Sequence, residues 1–405
     1  MHNKFFIVAA SIALLSTAAI GNADTQVVPP AMAAASANNR FAFDLLNTLG
    51  HSDTTGGNLF ISPISITQAV GLLYAGSSGE TKAQIATALH WENTTDSSFR
   101  GNSLALLQSL NSSAQGVDLR IANALWAQSG RPFSTRFRDT AAKYFLAEAK
   151  EVDFDKPSIA SAQINHWVST KTEGNIPQLV TPGAIDHASS VLTNAVYFKG
   201  AWKDTFDPAL TQPADFHLLD GTTVQMPTMH RNGAVQCSIS PSMTVVSLPY
   251  AGTPATSMII VLPPDGVSPQ ELVSSLDSDS LNSLLSQTSE KQVNLFLPKF
   301  HVEYADDLTD ALQSMGIKRA FTHDAQLGGM GIPNNYVSGV IHKAVVDVDE
   351  QGTVAAAATG VIMRSFAIMV PKTIRIDHPF LCAIRDDNTG ALLFLGEINK
   401  PEAAN

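Results

Sequence analysis

Apolar positions along this chain keep a helical spacing early and a strand-like one late. From Asn39 to Gly50 the residues Phe41, Leu45, Leu46 and Leu49 share one helix face, and Gly50 ends the run. Leu59-Phe60-Ile61 reads as a short strand broken at Pro63, and Ser65 to Tyr74 as a buried helix. A further helix is expected from Glu80 to Leu89, opened by Ser78-Gly79 with an acidic residue in its first turn. Leu104 to Leu110 is helical by periodicity, and Ser158 to Thr172 by the spacing of Ile164, Trp167 and Val168. Between them Val117 to Gln128 alternates as a strand, with Trp126 near its end. Beyond Val191 the pattern turns to strands: Val191 to Phe198, Met243 to Leu248, Ser257 to Leu262 and Val293 to Pro298. Phe380 to Ile384 and Ala391 to Leu395 are apolar on both faces and flank Asp386-Asp387-Asn388-Thr389-Gly390, which predicts a buried hairpin. The expected class is α+β.

With 405 residues and 44% hydrophobic composition the chain has ample material for a large core. No linker separates independent cores and no internal repeat is present, so residues 40–405 are read as a single domain. The basic start at Met1 to Lys4, the apolar run Phe5 to Ile20 and the small residues Gly21-Asn22-Ala23 have the layout of a secretory signal peptide over residues 1–23. The apolar run is shorter than the roughly 20 residues a bilayer requires. Residues 24–39, rich in Ala and Pro, are expected to form a flexible lead-in. A secreted or extracellular location follows, or a periplasmic one in a bacterium.

Thirty-six acidic residues against 25 basic ones give a formal charge of −11, and no basic cluster interrupts it. That balance argues against nucleic acid and anionic membranes as partners. Cys237 and Cys382 allow one bridge in a secreted protein, but both fall in apolar strand-like runs, where a buried free thiol is the favoured reading. No Gly-x-Ser-x-Gly elbow is present, and none of the 11 histidines forms a His-x-x-x-His pair. Gly329-Met330-Gly331 is a fragment of a nucleotide motif and reads as a turn. No enzyme chemistry, cofactor or metal is therefore expected.

The most informative stretch runs from Val345 to Phe380. A strand pattern leads into Glu350-Gln351-Gly352-Thr353, followed by Val354-Ala355-Ala356-Ala357-Ala358-Thr359 and Gly360. Alanine-rich sequence favours helix, yet Gly352 and Gly360 bracket the run. This segment resembles the hinge of the serpin reactive-centre loop, and the resemblance extends over nearly the whole mature chain. Phe60-Ile61-Ser62-Pro63-Ile64-Ser65 is similar to the family's shutter segment. Asn165-His166-Trp167-Val168 with Thr172, Gly174 and Ile176 matches its Asn-x-Trp-Val and Thr-x-Gly-x-Ile pattern. Asn194-Ala195-Val196-Tyr197-Phe198-Lys199-Gly200 with Trp202 is similar to the strand leading to the breach. Leu297-Pro298-Lys299-Phe300, Ser338 to Lys343 and Asp377-His378-Pro379-Phe380 also fit.

The resemblance implies a serpin fold: a large central sheet, two smaller sheets, about eight or nine helices in an α+β arrangement, and an exposed loop over about residues 350–376. It implies a suicide-substrate inhibitor of serine proteases that forms a covalent 1:1 complex and acts as a monomer. The cleaved loop then joins the central sheet, a behaviour that general accounts of strand addition already cite for serpins. Alternating strand faces put Thr353, Ala355, Ala357 and Thr359 inward, all small and uncharged, so burial strands no charge. Val354 departs from the acidic residue often seen there, and with Ala356 and Ala358 it faces outward. The family spacing from Glu350 places the reactive bond at Phe366-Ala367, with Arg364, Met363 and Met369 as alternates. An aromatic residue there suits a chymotrypsin-like pocket. The implied shutter is Ser62, Ser65, Asn194 and His342; the implied breach is Trp202, Lys299 and Glu350. A non-inhibitory carrier, chaperone or storage serpin, or an inhibitor of papain-like cysteine proteases, are the alternatives. Activation by sulfated polysaccharide is not expected without a Lys/Arg cluster. Asn93-Thr94-Thr95 and Asn111-Ser112-Ser113 are acceptor sequons, relevant in a glycosylating host.

Overall fold

The computed structural model describes residues 29–53, 56–110, 116–252, 255–352 and 371–403. In chain order the first half gives α1 (Pro30–Ser52), β1 (Leu59–Ile61), α2 (Pro63–Gly76), α3 (Gly79–Ala88), α4 (Asp96–Leu110), β2 (Val117–Gln128), α5 (Thr135–Phe145), β3 (Ala147–Val152) and α6 (Pro157–Lys171). The second half gives β4 (Ser190–Gly200), β5 (Gln212–His217), β6 (Thr223–Ile239), β7 (Thr244–Pro249), β8 (Thr256–Leu262), α7 (Pro269–Ser275), α8 (Ser278–Ser286), β9 (Ser289–Pro298) and β10 (Phe300–Asp307). It closes with α9 (Thr309–Ser314), β11 (Gly339–Val348), β12 (Lys372–Arg375), β13 (Phe380–Asp386) and β14 (Leu392–Ile398). The class is α+β, as the sequence predicts.

The central sheet runs in the order β10-β11-β4-β2-β3. Its middle pair, β4 and β11, is parallel and directly hydrogen-bonded from Val191↔Gly339 to Phe198↔Val346. The neighbours outside that pair, β2 on β4 and β10 on β11, are antiparallel. The smaller sheets are joined through the 17-residue β6 into one network, β1-β14-β13-β8-β7-β6-β9-β12, with β5 also on β6.

Three apolar cores follow from the two faces of each sheet. Leu125, Leu192 and Val340 point toward α1, α2 and α5. The opposite face, through Ala124, Trp126, Ala195 and Ile341, is covered by Ile164 and Val168 of α6. Phe198, Val346 and Val348 meet Phe380, Phe394 and Ile398 in the core between the sheets. α2 is buried nearly all round, as expected of a helix without a polar face.

Three expectations are corrected. α1 starts at Pro30, so residues 30–39 of the expected flexible lead-in are helical, and Ala35, Ala37, Asn38 and Asn39 are buried. Proline at the first helical position is tolerated because its missing N–H has no intrahelical partner there. At its other end α1 passes through Gly50 to Ser52. The expected loop over 350–376 is shorter, since Lys372–Arg375 already pairs with β9. Cys237 and Cys382 are buried and free, as the sequence favours, and the register Cys237↔Val246↔Ile260↔Cys382 leaves two strands between them.

Candidate functional site

The side chains singled out from the sequence gather along the seam between β4 and β11. Asn194 of β4 lies opposite His342 of β11 and, on its other side, opposite Asn123 of β2. His342 hydrogen-bonds through Nδ1 to Asn194 Oδ1, while its Nε2 accepts the Ser62 backbone N–H at 3.4 Å. That pairing fixes the tautomer: Nε2 is the acceptor, so Nδ1 carries the proton. The Asn194 amide donates to Ser65 Oγ and to Asn123 Oδ1, and Asn123 donates to the Ser65 carbonyl at 3.3 Å. Ser62 Oγ donates to the Leu393 carbonyl at 2.7 Å, which ties the row to β14.

All five side chains are buried. Burial pushes the His342 pKa down to about 3, so the ring is neutral. The row satisfies its polar groups internally, and the Asn194–His342 bond crosses the seam. Separating β4 from β11 must break it.

At the upper end of the seam the chain leaves β11 through a tight turn. Asp349 Oδ1 accepts the Gln351 N–H at 3.0 Å, and the Gly352 N–H reaches the Asp349 carbonyl at 3.3 Å. Gly352 sits at φ +64, and a Cβ there would collide with the Trp202 nitrogen and the Gly200 carbonyl oxygen. Both the backbone angle and the space demand glycine. Three hydrogen bonds clamp the turn: Trp202 Nε1 to the Asp349 carbonyl at 2.8 Å, the Trp202 N–H to the Gln351 carbonyl at 3.2 Å, and the Phe206 N–H to the Glu350 carbonyl at 2.9 Å. Trp202 itself stacks on Tyr250 with ring centroids 4.5 Å apart.

The Glu350 carboxylate accepts from Thr211 Oγ1 at 2.8 Å and faces Lys299 Nζ at 3.6 Å. Burial alone would raise its pKa, but the Thr211 hydroxyl, its own backbone N–H and Lys299 together hold it below the usual value. The predicted breach residues therefore do meet. The pair is more sheltered than the surface ion pair that the sequence suggests.

The Asn-x-Trp-Val segment has a different task. Asn165 accepts the Leu179 and Val180 N–H groups at 2.8 and 2.9 Å and donates to the Val180 carbonyl at 2.9 Å. Thr172 Oγ1 accepts the Ile176 N–H at 3.1 Å. These bonds lay the strip after α6 across the sheet, where Lys343 of β11 donates to the Gln178 carbonyl at 3.1 Å and pairs with Glu303 at 2.7 Å.

Sequence reasoning missed two participants. Asn123 was legible as a polar residue on the Leu119-Ile121-Leu125-Ala127 side of β2, where a buried amide needs partners. Thr211 lies outside every quoted motif, and nothing in its local sequence marks it. The hinge residues Thr353, Val354, Ala355, Ala356, Ala357, Ala358 and Thr359 lie outside the described residues, as do Phe366, Ala367 and the alternates Arg364, Met363 and Met369. The same holds for the signal peptide at residues 1–23 and the sequon at Asn111.

A family model described as serpin (serine protease inhibitor) matches residues 36–401. Iripin-8 of Ixodes ricinus is 37% identical over 378 residues, covering 90% of this chain and 93% of that protein. The leukocyte elastase inhibitor of Equus caballus is 36% identical over 377 residues, covering 90% and 98%. Among solved structures, native protease nexin-1 with heparin superposes with a TM-score of 0.81 at 29% identity, covering 92% of this chain and 100% of that chain. Serpin-12 of Manduca sexta gives 0.81 at 28%, covering 91% and 99%. The motifs, the topology and these likenesses agree: the chain belongs to the serpin family.

Proposed function

We propose that this chain is a secreted inhibitor that traps chymotrypsin-like serine proteases as a covalent 1:1 acyl-enzyme, by drawing its cleaved loop into the β4–β11 seam. The observation that carries this reading is the seam itself: a parallel pair, with the small-residue sequence Thr353 to Thr359 following the turn at the top of β11. A chain that reverses after Gly352 runs antiparallel to β11. Because β4 is parallel to β11, it would be antiparallel to β4 as well. Insertion would replace one parallel interface by two antiparallel ones, which are slightly more stable per residue.

The chemical step is ordinary acyl transfer. The protease serine attacks the Phe366 carbonyl, the Phe366–Ala367 amide bond breaks, and the Ala367 amine leaves with the proton delivered by the protease base. Phe366 remains as an ester on the enzyme. Residues 353–366, at about 3.4 Å each, would span roughly 45–50 Å once extended. That exceeds the 11-residue β4, so the protease is carried past the far end of the sheet. On the order of twenty new hydrogen bonds at roughly 0.5–1.5 kcal/mol each rival the stability of a typical domain, about 5–15 kcal/mol. Displacing catalytic groups by about 1 Å slows an enzyme about 10²-fold, so hydrolysis of the ester stalls.

Incubation with chymotrypsin should give a complex that survives denaturing electrophoresis, and the released C-terminal peptide should begin at Ala367. A different first residue overturns the reactive-bond assignment. Cleavage without any stable complex overturns the inhibitory mechanism.

A further inference from the structure

Glu397 occupies an unusual place for an acid. It lies in β14 between Leu59 of β1 and Leu381 of β13, and it is 2% exposed. Among the described residues its Oε1 has no hydrogen-bond partner, and neither does Oδ1 of nearby Asn399. The Asn399 amide donates to the Gly57 carbonyl at 2.8 Å, and its backbone N–H goes to Asn58 Oδ1. Two buried acceptors are left without a donor, an arrangement that costs stability unless a proton is supplied.

Among the described residues, the surroundings hold no cation committed to balancing a charge there. α2 and β1 carry no ionisable acid or base that could pair with it. On α1, Asp44 pairs with His90, His51 bonds the Asn47 carbonyl, Arg40 is exposed, and Asp53 follows the last turn. On α7, Glu271 closes its own cap with Ser268. On β13, Arg385 pairs with Asp387 at the far end of the strand. On β10, His301 pairs with Asp347, Glu303 with Lys343, and Tyr304 donates to Asp306 at 2.9 Å. Lys400, just past β14, is exposed. Burial raises the Glu397 pKa to about 7; Asn399 opposes the rise less strongly, and the Asp53 charge adds a smaller lift.

We propose that Glu397 is carried as the neutral acid, and that its proton latches β1 and the Gly57-Asn58 approach onto the end of β14. The latch bears on the seam because β1 runs directly into Ser62. Ser62 bonds His342 through its N–H and the Leu393 carbonyl through Oγ. Losing the proton puts an uncompensated carboxylate between apolar strands and loosens the element that positions Ser62. A raised folded-state pKa in an acid means stability present below the unfolded value and lost as pH rises toward 7.

The test compares thermal unfolding of the full chain and of Glu397→Gln between pH 5 and 8, with amide exchange at Phe60, Ile61 and Ser62. The latch predicts that the unmodified protein loses about 3 °C relative to the variant over that range. It also predicts that β1 protection falls about tenfold beyond the intrinsic pH effect, only in the unmodified protein. Parallel melting profiles, or β1 protection that does not change with pH, overturn the proposal. Should Glu397→Gln fail to fold, Glu397→Met serves in the same comparison, and the exchange measurement on the unmodified protein decides by itself.

Discussion

At the scale of single residues, the seam depends on positions that tolerate little change. Gly352 is one: any Cβ meets the Trp202 and Gly200 backbone. Gly352→Ala is expected to lift the turn off Trp202 and Phe206, losing about 2–3 kcal/mol of hydrogen bonding. Scanning fluorimetry should then record a lower melting temperature, and an unchanged one contradicts the clamp. His342 is another. Its folded-state pKa of about 3 lies below the ordinary value of 6.5, so its contribution is fully present above pH 6.5 and lost as pH falls toward 3. Urea unfolding between pH 7 and 4 should show that decline, and His342→Gln should show a flatter one. Equal slopes contradict a buried neutral ring. Ser62, Ser65, Asn194 and His342 were legible through the family resemblance, and the need of buried polar groups for partners agrees with it. Thr211 was not, because its importance comes from Glu350, a residue 139 positions away.

At the scale of elements, sequence pattern reveals what is uniformly apolar and hides what is amphipathic or short. The strand Val117–Gln128 is observed with the bounds its alternation predicts. By contrast α5 buries only Phe137, Ala141 and Phe145, a stripe of spacing four too sparse to stand out from its polar surroundings. β6 buries few of its residues, so no apolar run announces it. α7 carries a Ser268–Glu271 capping box, the local signal for a helix of one or two turns too short to show periodicity. The element that matters most for function is the hinge, whose sequence conflicts with its proposed fate: alanines favour a helix, while insertion requires a strand. Thr353→Arg tests that fate. A charge forced beneath the sheet should turn the inhibitor into a substrate, seen as cleavage without a detergent-stable protease complex. Persistence of the complex in that variant contradicts inward burial at Thr353.

At the scale of the whole molecule, the fold sets the two central strands of its large sheet directly side by side, the arrangement that the proposed insertion would open. β4 and β11 meet directly, pinned by Asn194 and His342 below and by the bonds from Trp202 to the Asp349 and Gln351 carbonyls above. Composition and periodicity indicated only an α+β domain; the ordered motifs carried the family. No local pattern could show that two parallel strands border each other at the seam, since that depends on the path of the entire chain. Thermal unfolding before and after a single cut within residues 353–370 tests this most directly. Insertion predicts that the cut protein melts tens of degrees higher, because each kcal/mol gained is worth about 2–4 °C in a large domain. A cut protein that melts at or below the temperature of the intact one contradicts it.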